Sequence, residues 1–377
     1  MKKLFLTAFL LALVLPAQVC ARTLEQMIGQ MLMVGFRGYM VDEQSRVARD
    51  ILEHGIGGVI LFDYDVEKKA FERNIKNPQQ LTKLIADLQE LSGDDILLVA
   101  IDQEGGRVSR LKKNYGFRDS VSQAYLGGLN DLEITLDYAL RTAQDLSEIG
   151  INLNLAPLVD LNTNPDNPVI GLLDRSFSGD PEVAARHAWE VVNAHRVFNV
   201  LTAAKHFPGH GSSLADSHLG FVDVTDTWNE TELLPFKNLI ADQGCDMIMT
   251  AHIYNRNLDP DWPATMSEKI IGGILRSELG FEGVVISDDM QMKAIREHYP
   301  LEQALEMTIL AGVDIIIFAN NMIYEEDIVS RSIAIIKNLV EEGRVSEDRI
   351  RQSYRRISHL KAGLNPLEQS SCSFCLK

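Results

Sequence analysis

The residues best suited to catalysis lie in segment 205–211, which reads KHFPGHG, and in the Asp216-Ser217-His218 triplet that follows it. They come directly after a short run of small and apolar residues, 200–204. An apolar run that ends in a cation and an imidazole is typical of a buried parallel strand that brings side chains to a site. Pro208 and Gly209 end the predicted strand. The Asp-x-His motif then supplies a proton donor with a carboxylate beside it.

Charged or polar residues also follow other apolar runs of the chain. They are Asp102 after the third run, Asp160 and Asn162 after the fourth, Lys205 and His206 after the fifth, His252 after the sixth, and Ser287, Asp288 and Asp289 after the seventh. In a barrel of alternating strands and helices, the loops after the strands form the active site, so these residues would converge on one pocket. Structural alternatives remain: Asp102 could anchor a glycine turn, Asp160 could bind loop amides, and Arg175 could form a loop salt bridge.

The elements that must position these residues are eight short apolar runs, each followed by a longer helical stretch. The runs cover 31–36, 58–62, 96–101, 151–159, 201–204, 247–251, 283–286 and 314–319. Amphipathic stretches at 80–91, 132–149, 182–198, 232–242, 268–279, 301–310, 328–340 and 347–360 predict helices. Continuous Val/Ile/Leu runs indicate strands buried on both faces. The pattern predicts an α/β fold, a (β/α)8 TIM-type barrel. An open doubly wound sheet is the alternative, but no glycine-rich phosphate fingerprint follows the first run.

The beginning of the chain has the pattern of a signal peptide. Two lysines precede the apolar segment 4–15, which is too short to span a bilayer, and small or tolerated residues follow up to Ala21. We therefore predict a signal peptide at 1–21 and an exported protein, periplasmic or secreted. Lipidation of Cys20 is an alternative, which the bulky Val19 disfavours.

One domain is expected at 24–364, followed by a tail at 365–377. The tail carries Cys372 and Cys375 in a Cys-x-x-Cys motif. Three interpretations are open for an exported protein: the two thiols form a small disulfide, they stay reactive, or the tail has no catalytic role. No segment after the leader is apolar enough and long enough to cross a membrane. The net charge of −17 disfavours binding to nucleic acid or to anionic lipid.

A carboxylate on the seventh strand that faces an imidazole suits covalent acyl or glycosyl chemistry. A carboxylate attacks an anomeric carbon well because the oxocarbenium-like transition state needs negative charge nearby. Histidine titrates near neutral pH, and Asp216 can orient it and hold its proton. A serine hydrolase is disfavoured because the sequence has no Gly-x-Ser-x-Gly elbow.

A metal site is the other chemistry to weigh. His206, His210, His218 and His252 with Asp288 have the residue types that bind zinc. The first two are four residues apart, as in a helical metal pair, but Pro208 and Gly209 between them argue against a helix. The ammonium group of Lys205 would also repel a divalent cation. We therefore expect neither a metal nor another cofactor.

At these residues the chain resembles glycoside hydrolase family 3, and within it the single-domain β-N-acetylglucosaminidases of the peptidoglycan-recycling type. The resemblance covers nearly the whole chain after the leader. Its most specific part is segment 205–211 with Asp216 and His218, and three further motifs occur in the family order. These motifs are DQEGGR at 102–107, DRSF at 174–177 and SDDM at 287–290.

The resemblance implies a role for each matching residue. Asp288, the first of the two aspartates, would be the nucleophile, and His218 with its partner Asp216 would be the general acid/base. The sugar-binding positions would be Asp102, Arg110, Arg175, Lys205 and His206. His210 and His252 would support the loops.

The implied activity is that of a retaining exo-β-N-acetylglucosaminidase that acts on peptidoglycan fragments or chitin-type oligosaccharides, as a monomer. A histidine acid/base departs from the usual pair of carboxylates and leaves phosphorolysis open beside hydrolysis. The export signal is a second departure, because such relatives are often cytoplasmic. The alternatives are a β-glucosidase or β-xylosidase of the same family, a non-catalytic sugar-binding protein of the envelope, and a metal-dependent barrel hydrolase.

Overall fold

Eight parallel strands close on one another in chain order in the computed structural model, which describes residues 22–242 and 244–364. The strands are β1 Leu32–Gly35, β2 Gly58–Leu61, β3 Leu98–Ile101, β4 Leu153–Asn154, β5 Leu201–Phe207, β6 Met247–Thr250, β7 Val284–Asp289 and β8 Ile315–Phe318. The barrel closes where Leu32 of β1 pairs with Ile316 of β8. Each predicted run overlaps one strand, so the (β/α)8 prediction is confirmed and the open-sheet alternative is wrong.

Burial on both faces explains why the strands read as continuous apolar runs. All residues of β1, β2, β3, β6 and β8 are buried. Their inward side chains fill the barrel and their outward side chains pack under the helices. Because both faces are buried, apolar and polar residues do not alternate along these strands. Most polar side chains of the strands therefore lie toward their carboxyl ends; Thr202, near the start of β5, is buried and donates to Asp246.

The helices that surround the barrel confirm the longer predicted segments. They are α1 Leu24–Gln30, α2 Arg46–His54, α3 Pro78–Ser92, α4 Gln123–Leu129, α5 Leu132–Ile149, α6 Pro181–Val197, α7 Leu234–Ala241, α8 Lys293–Arg296, α9 Leu301–Ala311, α10 Ile328–Glu341 and α11 Glu347–Ala362. The predicted helix at 232–242 begins as a 3-10 turn, Glu230–Leu233, and the predicted helix at 268–279 is a π-helix, Lys269–Glu278.

Four short helices, α1, α2, α4 and α8, were not predicted. The first has a signal in the sequence, because Thr23 and Gln26 form a reciprocal capping box at its start. The others are only 4 to 9 residues long, too short for a clear helical period.

Two strands reach further toward the candidate site than predicted. β5 continues to Phe207, so Lys205 and His206 belong to the strand itself, and β7 continues to Asp289. The register of β5 against β6 shifts between Lys205 and Phe207. The Lys205–His206 and Phe207–Pro208 peptide bonds are cis. Lys205 and His206 can occupy the end of β5 because their side chains pair with carboxylates, as described below.

No described helix combines the length and the apolar character that a membrane span requires. The predicted signal peptide at 1–21, Cys20 within it, and the tail at 365–377 with Cys372 and Cys375 lie outside the described residues.

Candidate active site

The carboxyl ends of the strands surround a cleft that contains all eight residues predicted from the sequence. Its volume is about 1380 Å³, including the solvent space at its mouth. The eight residues that line it are Asp102, Arg110, Arg175, Lys205, His206, Asp216, His218 and Asp288. They come from β5, β7 and the loops that follow β3, β4 and β5. Apolar side chains such as Phe62, Met249 and Met292 line the remaining wall.

Opposite charges alternate along the β3 and β5 side of the cleft. The Nζ of Lys205 donates to Asp102 Oδ1 at 2.8 Å and lies 2.7 Å from Glu104 Oε1. Arg110 donates to the other oxygen of Asp102 at 3.2 Å. Arg175 binds Glu104 through Nε and NH2 at 2.8 and 2.7 Å, and its NH1 donates to the Val169 carbonyl. We call these five residues the ion network: Asp102, Glu104, Arg110, Arg175 and Lys205.

The ion network holds its members in their charged forms. Burial by itself would raise the pKa of both carboxyl groups, but Lys205 and Arg110 lower that of Asp102, and Arg175 and Lys205 lower that of Glu104 to about 2. Burial opposes the charge of Lys205, yet the two carboxylates raise its pKa above the ordinary value. Each charge is compensated, so Lys205 can be only 2% exposed.

Glu104 is the residue of this network that the sequence analysis did not single out. It stands in the DQEGGR motif, but nothing in the local pattern indicated that its side chain would join Lys205 and Arg175. Its side chain is 1% exposed. Arg175 forms the loop salt bridge that the structural alternative predicted, with Glu104 as its partner. It also lines the cleft, so the salt bridge does not exclude a role in sugar binding. Asp102 pairs with cations rather than anchoring the glycine turn.

Asp160 supports the site from behind the cleft wall. Its Oδ1 accepts hydrogen bonds from the backbone N–H groups of His206 and His210, at 3.1 and 2.8 Å, and its Oδ2 lies 2.7 Å from His206 Nδ1. The alternative in which Asp160 binds loop amides is thus confirmed. The bond at Nδ1 directs Nε2 of His206 toward any ligand.

Asp288 and Asp289 at the end of β7 have different surroundings. Burial would raise the pKa of Asp288, but His206, His252 and His218 lower it below the ordinary carboxyl value. Burial raises the pKa of Asp289 to about 6. The carboxylate of Asp289 accepts hydrogen bonds from the backbone N–H groups of Gln291 and Ala319, so it supports two loops. Asp288 is therefore the more acidic carboxyl group of the pair and is anionic at neutral pH.

Asp216 and His218 lie on the loop that follows β5, which we call the catalytic loop, residues 208–220. The Nδ1 of His218 is 2.7 Å from Asp216 Oδ1, and the same oxygen accepts from the His218 backbone N–H at 2.8 Å. Burial opposes protonation of His218, but the bond to Asp216 and the charge of Asp288 raise its pKa above 6.5. The imidazole is 48% exposed, so its Nε2 can exchange a proton with a ligand in the cleft.

The two remaining histidines support loops, as expected. His210 Nε2 is 3.2 Å from Ser217 Oγ within the catalytic loop, and burial lowers its pKa to about 4. His252 bonds to Thr265 Oγ1 through Nδ1 and to the Asp289 carbonyl through Nε2. Within 22–242 and 244–364, no three His, Cys, Asp or Glu side chains are grouped as metal ligands would be.

Comparison with known proteins places this geometry in a family. The family model described as "Glycosyl hydrolase family 3 N terminal domain" matches residues 23–360. A curated relative, "Beta-hexosaminidase A" of Pseudoalteromonas piscicida, is 34% identical over 393 residues, which cover 94% of this chain and 63% of the relative.

Solved structures agree with the match. A family 3 β-N-acetylglucosaminidase from a Paenibacillus species has a TM-score of 0.83 and 36% identity, covering 91% of this chain and 63% of that one. This chain therefore spans less than two thirds of either protein. A structure from Thermotoga neapolitana, described as zinc-bound CbsA, has a TM-score of 0.74 and 28% identity over 90% of this chain and 68% of its own.

Proposed function

The chain belongs to glycoside hydrolase family 3, and on that premise we propose that it is a retaining exo-β-N-acetylglucosaminidase. The observation that carries the proposal is one cleft that combines an anionic carboxylate, Asp288, with a protonatable Asp216–His218 pair. The names of the two longer relatives, a β-hexosaminidase and a β-N-acetylglucosaminidase, support the choice of sugar.

The reaction proceeds in two steps. Asp288 attacks the anomeric carbon and forms a glycosyl-enzyme ester, while the glycosidic bond breaks and its electron pair goes to the leaving oxygen. His218 donates its Nε2 proton to that oxygen. The same imidazole, now neutral, removes a proton from water, which attacks the anomeric carbon and releases Asp288. The configuration at that carbon is retained because it is inverted twice.

The ion network and His206 hold the sugar in this reaction. Carboxylate and ammonium groups form charge-assisted hydrogen bonds with hydroxyl groups, and these are stronger than neutral ones. Asp102 and Arg110, with Lys205, Arg175 and His206, line the cleft and can bind the hydroxyl and acetamido groups of one terminal residue. Because these charges are already oriented, binding requires little rearrangement of the protein.

The natural substrates we propose are peptidoglycan fragments or chitin-type oligosaccharides, cleaved by a monomer in the periplasm or outside the cell. The leader-like segment 1–21 supports the location. Cell fractionation with N-terminal sequencing of the mature protein tests it, and an intact Met1 in a cytoplasmic fraction would contradict it.

The decisive experiment measures nitrophenol release from aryl β-N-acetylglucosaminide and aryl β-glucoside. We expect wild type to cleave the acetamido sugar and Asp288→Ala to lose at least ~10⁴-fold in turnover, because the covalent route is then closed. Asp289→Asn should lose far less, since its carboxylate binds backbone amides. A chelator should change nothing.

Each alternative has its own signature in that experiment. Cleavage of the glucoside would indicate a β-glucosidase or β-xylosidase. Loss of activity with chelator would indicate a metal-dependent enzyme, and no cleavage by folded wild type would favour a sugar-binding protein. Faster release of the sugar when phosphate is added would indicate phosphorolysis instead of hydrolysis.

A further inference from the structure

The base of the catalytic loop is held from several sides where it leaves β5. Asp160 accepts from the His210 N–H, and Asn167 donates to the carbonyl groups of His210 and Gly211. A second carboxylate, Glu232, binds the same turn. Its Oε2 accepts from the Gly211 N–H at 3.0 Å.

Glu232 belongs to the 3-10 turn Glu230–Leu233 before α7, and it packs directly on the loop backbone. It is 2% exposed. A Cβ placed on Gly209 would lie 2.5 Å from the Cβ of Glu232, and Gly209 has φ +118°, so only glycine fits there. Trp228, just before the same turn, donates from Nε1 to the Pro208 carbonyl at 3.1 Å.

These contacts separate the role of Glu232 from that of the cleft residues. Glu232 is not among the residues that line the cleft, so it acts on a ligand only through the backbone that it holds. That backbone leads within seven residues from Gly211 to His218. A displacement of about 1 Å at an acid/base group can cost roughly 10²-fold in rate.

We propose that Glu232 is a positioning residue, which fixes the base of the catalytic loop and thereby sets the position of the Asp216–His218 pair. The proposal rests on the proposed function for its effect on catalysis. Its structural half, that Glu232 orders the loop, is independent of the substrate.

The charge state of Glu232 provides a specific signature. Burial raises its pKa to about 7, and the nearby Asp160 carboxylate adds to this effect. Its Oε1 is buried without a hydrogen-bond partner, so a negative charge on the carboxyl group is poorly compensated there. The other titratable groups of the turn are His206 and His210; His210 is neutral at this pH. Ionisation, as the pH rises to about 7, places a second negative charge in this buried turn beside Asp160 and therefore favours an open loop in which the carboxylate is hydrated.

The test compares Glu232→Ala, Glu232→Gln and the matched control Glu230→Gln, which makes the same change on the exposed side of the same turn. Glutamine keeps an acceptor for the Gly211 N–H, whereas alanine removes it. We expect Glu232→Ala to lower kcat about 10- to 100-fold for an alkyl glycoside and much less for a dinitrophenyl glycoside, which needs no acid. KM should change little. Glu232→Gln should restore most of kcat, and Glu230→Gln should equal wild type.

Amide hydrogen exchange in peptides from 209–218 tests the same proposal without any substrate. Exchange should be faster in Glu232→Ala and, at about pH 4.5, where Glu232 keeps its proton, unchanged in Glu232→Gln and Glu230→Gln. Wild type should lose protection as the pH rises from about 4.5 to about 7, beyond the intrinsic pH dependence of exchange, because the open loop releases the Glu232 proton over that range, and Glu232→Gln should not.

The outcomes separate this proposal from the proposed function. Unchanged exchange in Glu232→Ala would overturn it, as would equal damage from alanine and glutamine. If Glu232→Ala does not fold, the pH dependence in Glu232→Gln decides: a loss of protection as large as in wild type overturns it. A wild type that cleaves no glycoside refutes the proposed function, whereas the exchange results still decide whether Glu232 orders the loop.

Discussion

The two halves of the cleft use charged groups in opposite ways. In the ion network, Lys205 and Glu104 are 2% and 1% exposed, and their mutual attraction holds them charged. On the catalytic loop, His218 is 48% exposed and its pKa is raised only from an ordinary value near neutrality. Groups that bind a sugar need a constant charge, whereas a group that transfers a proton must change its charge during each turnover.

The difference follows from the elements that carry the two halves. Lys205 extends from β5 and Asp102 follows directly on β3, and the backbone of both strands is fixed by neighbours in the barrel. Asp216 and His218 lie on a loop, where access to ligand is available and position depends on a few hydrogen bonds. We therefore expect substitutions in the ion network to lower the free energy of unfolding, and substitutions in the catalytic loop to lower kcat alone.

Replacement of Lys205 should have the largest effect, because it damages both folding and sugar binding. Lys205→Met leaves two buried carboxylates without their shared cation, and the free energy of unfolding should fall by about 3–5 kcal/mol. Denaturant unfolding measures this loss. Lys83→Met is the control, because its partner Asp87 forms an exposed pair on α3, which should be worth less than about 1 kcal/mol. Equal losses of unfolding free energy in the two variants would mean that the buried ion network stabilises the fold no more than an exposed ion pair does.

Replacement of His218 should affect turnover and leave stability unchanged. For a glycoside with a poor leaving group, His218→Ala should lower kcat by about 10²–10⁴-fold, since no proton reaches the leaving oxygen. An activated aryl glycoside should lose much less in the first step. The exposed His298 gives the control, His298→Ala, with wild-type rates on both substrates. An equal loss on both substrates would contradict the acid role of His218.

The sequence was sufficient for those features that depend on local pattern. Eight apolar runs predicted eight strands because buried parallel strands tolerate few other residues. The residues after those runs converge because parallel strands end on the same side. The sequence did not predict the extension of β5 to Phe207 or the bridging role of Glu104. Those features depend on pairing between segments distant in the chain, β5 with β6 in the first case and Lys205 and Arg175 with Glu104 in the second.

Glu232 is a clearer example of a residue whose role could not be predicted from the sequence. It stands inside a segment that reads as an amphipathic helix, where an acidic residue near the start is unremarkable. Its contact with Gly211 depends on how the turn before α7 lies against the catalytic loop. No residue spacing along the chain predicts that arrangement, so the contact could be identified only from the structure.

Replacement of Asp216 should produce the smallest effect, a shift in pH dependence. Burial lowers the pKa of His218, and the bond to Asp216 is the largest influence that raises it. Asp216→Asn removes that negative charge, so the imidazolium should lose its proton at lower pH. Because His218 must be protonated to act as an acid, the alkaline limb of kcat/KM should move down by about one pH unit. The acid limb depends on Asp288, whose pKa lies below 3.8, and it should stay in place. Profiles of kcat/KM against pH, measured with an alkyl glycoside, check both limbs. An unchanged alkaline limb would mean that Asp216 only orients the imidazole ring. The charge of Asp216 would then not set the pKa of His218, and the electrostatic contrast between the ion network and the catalytic loop would be wrong.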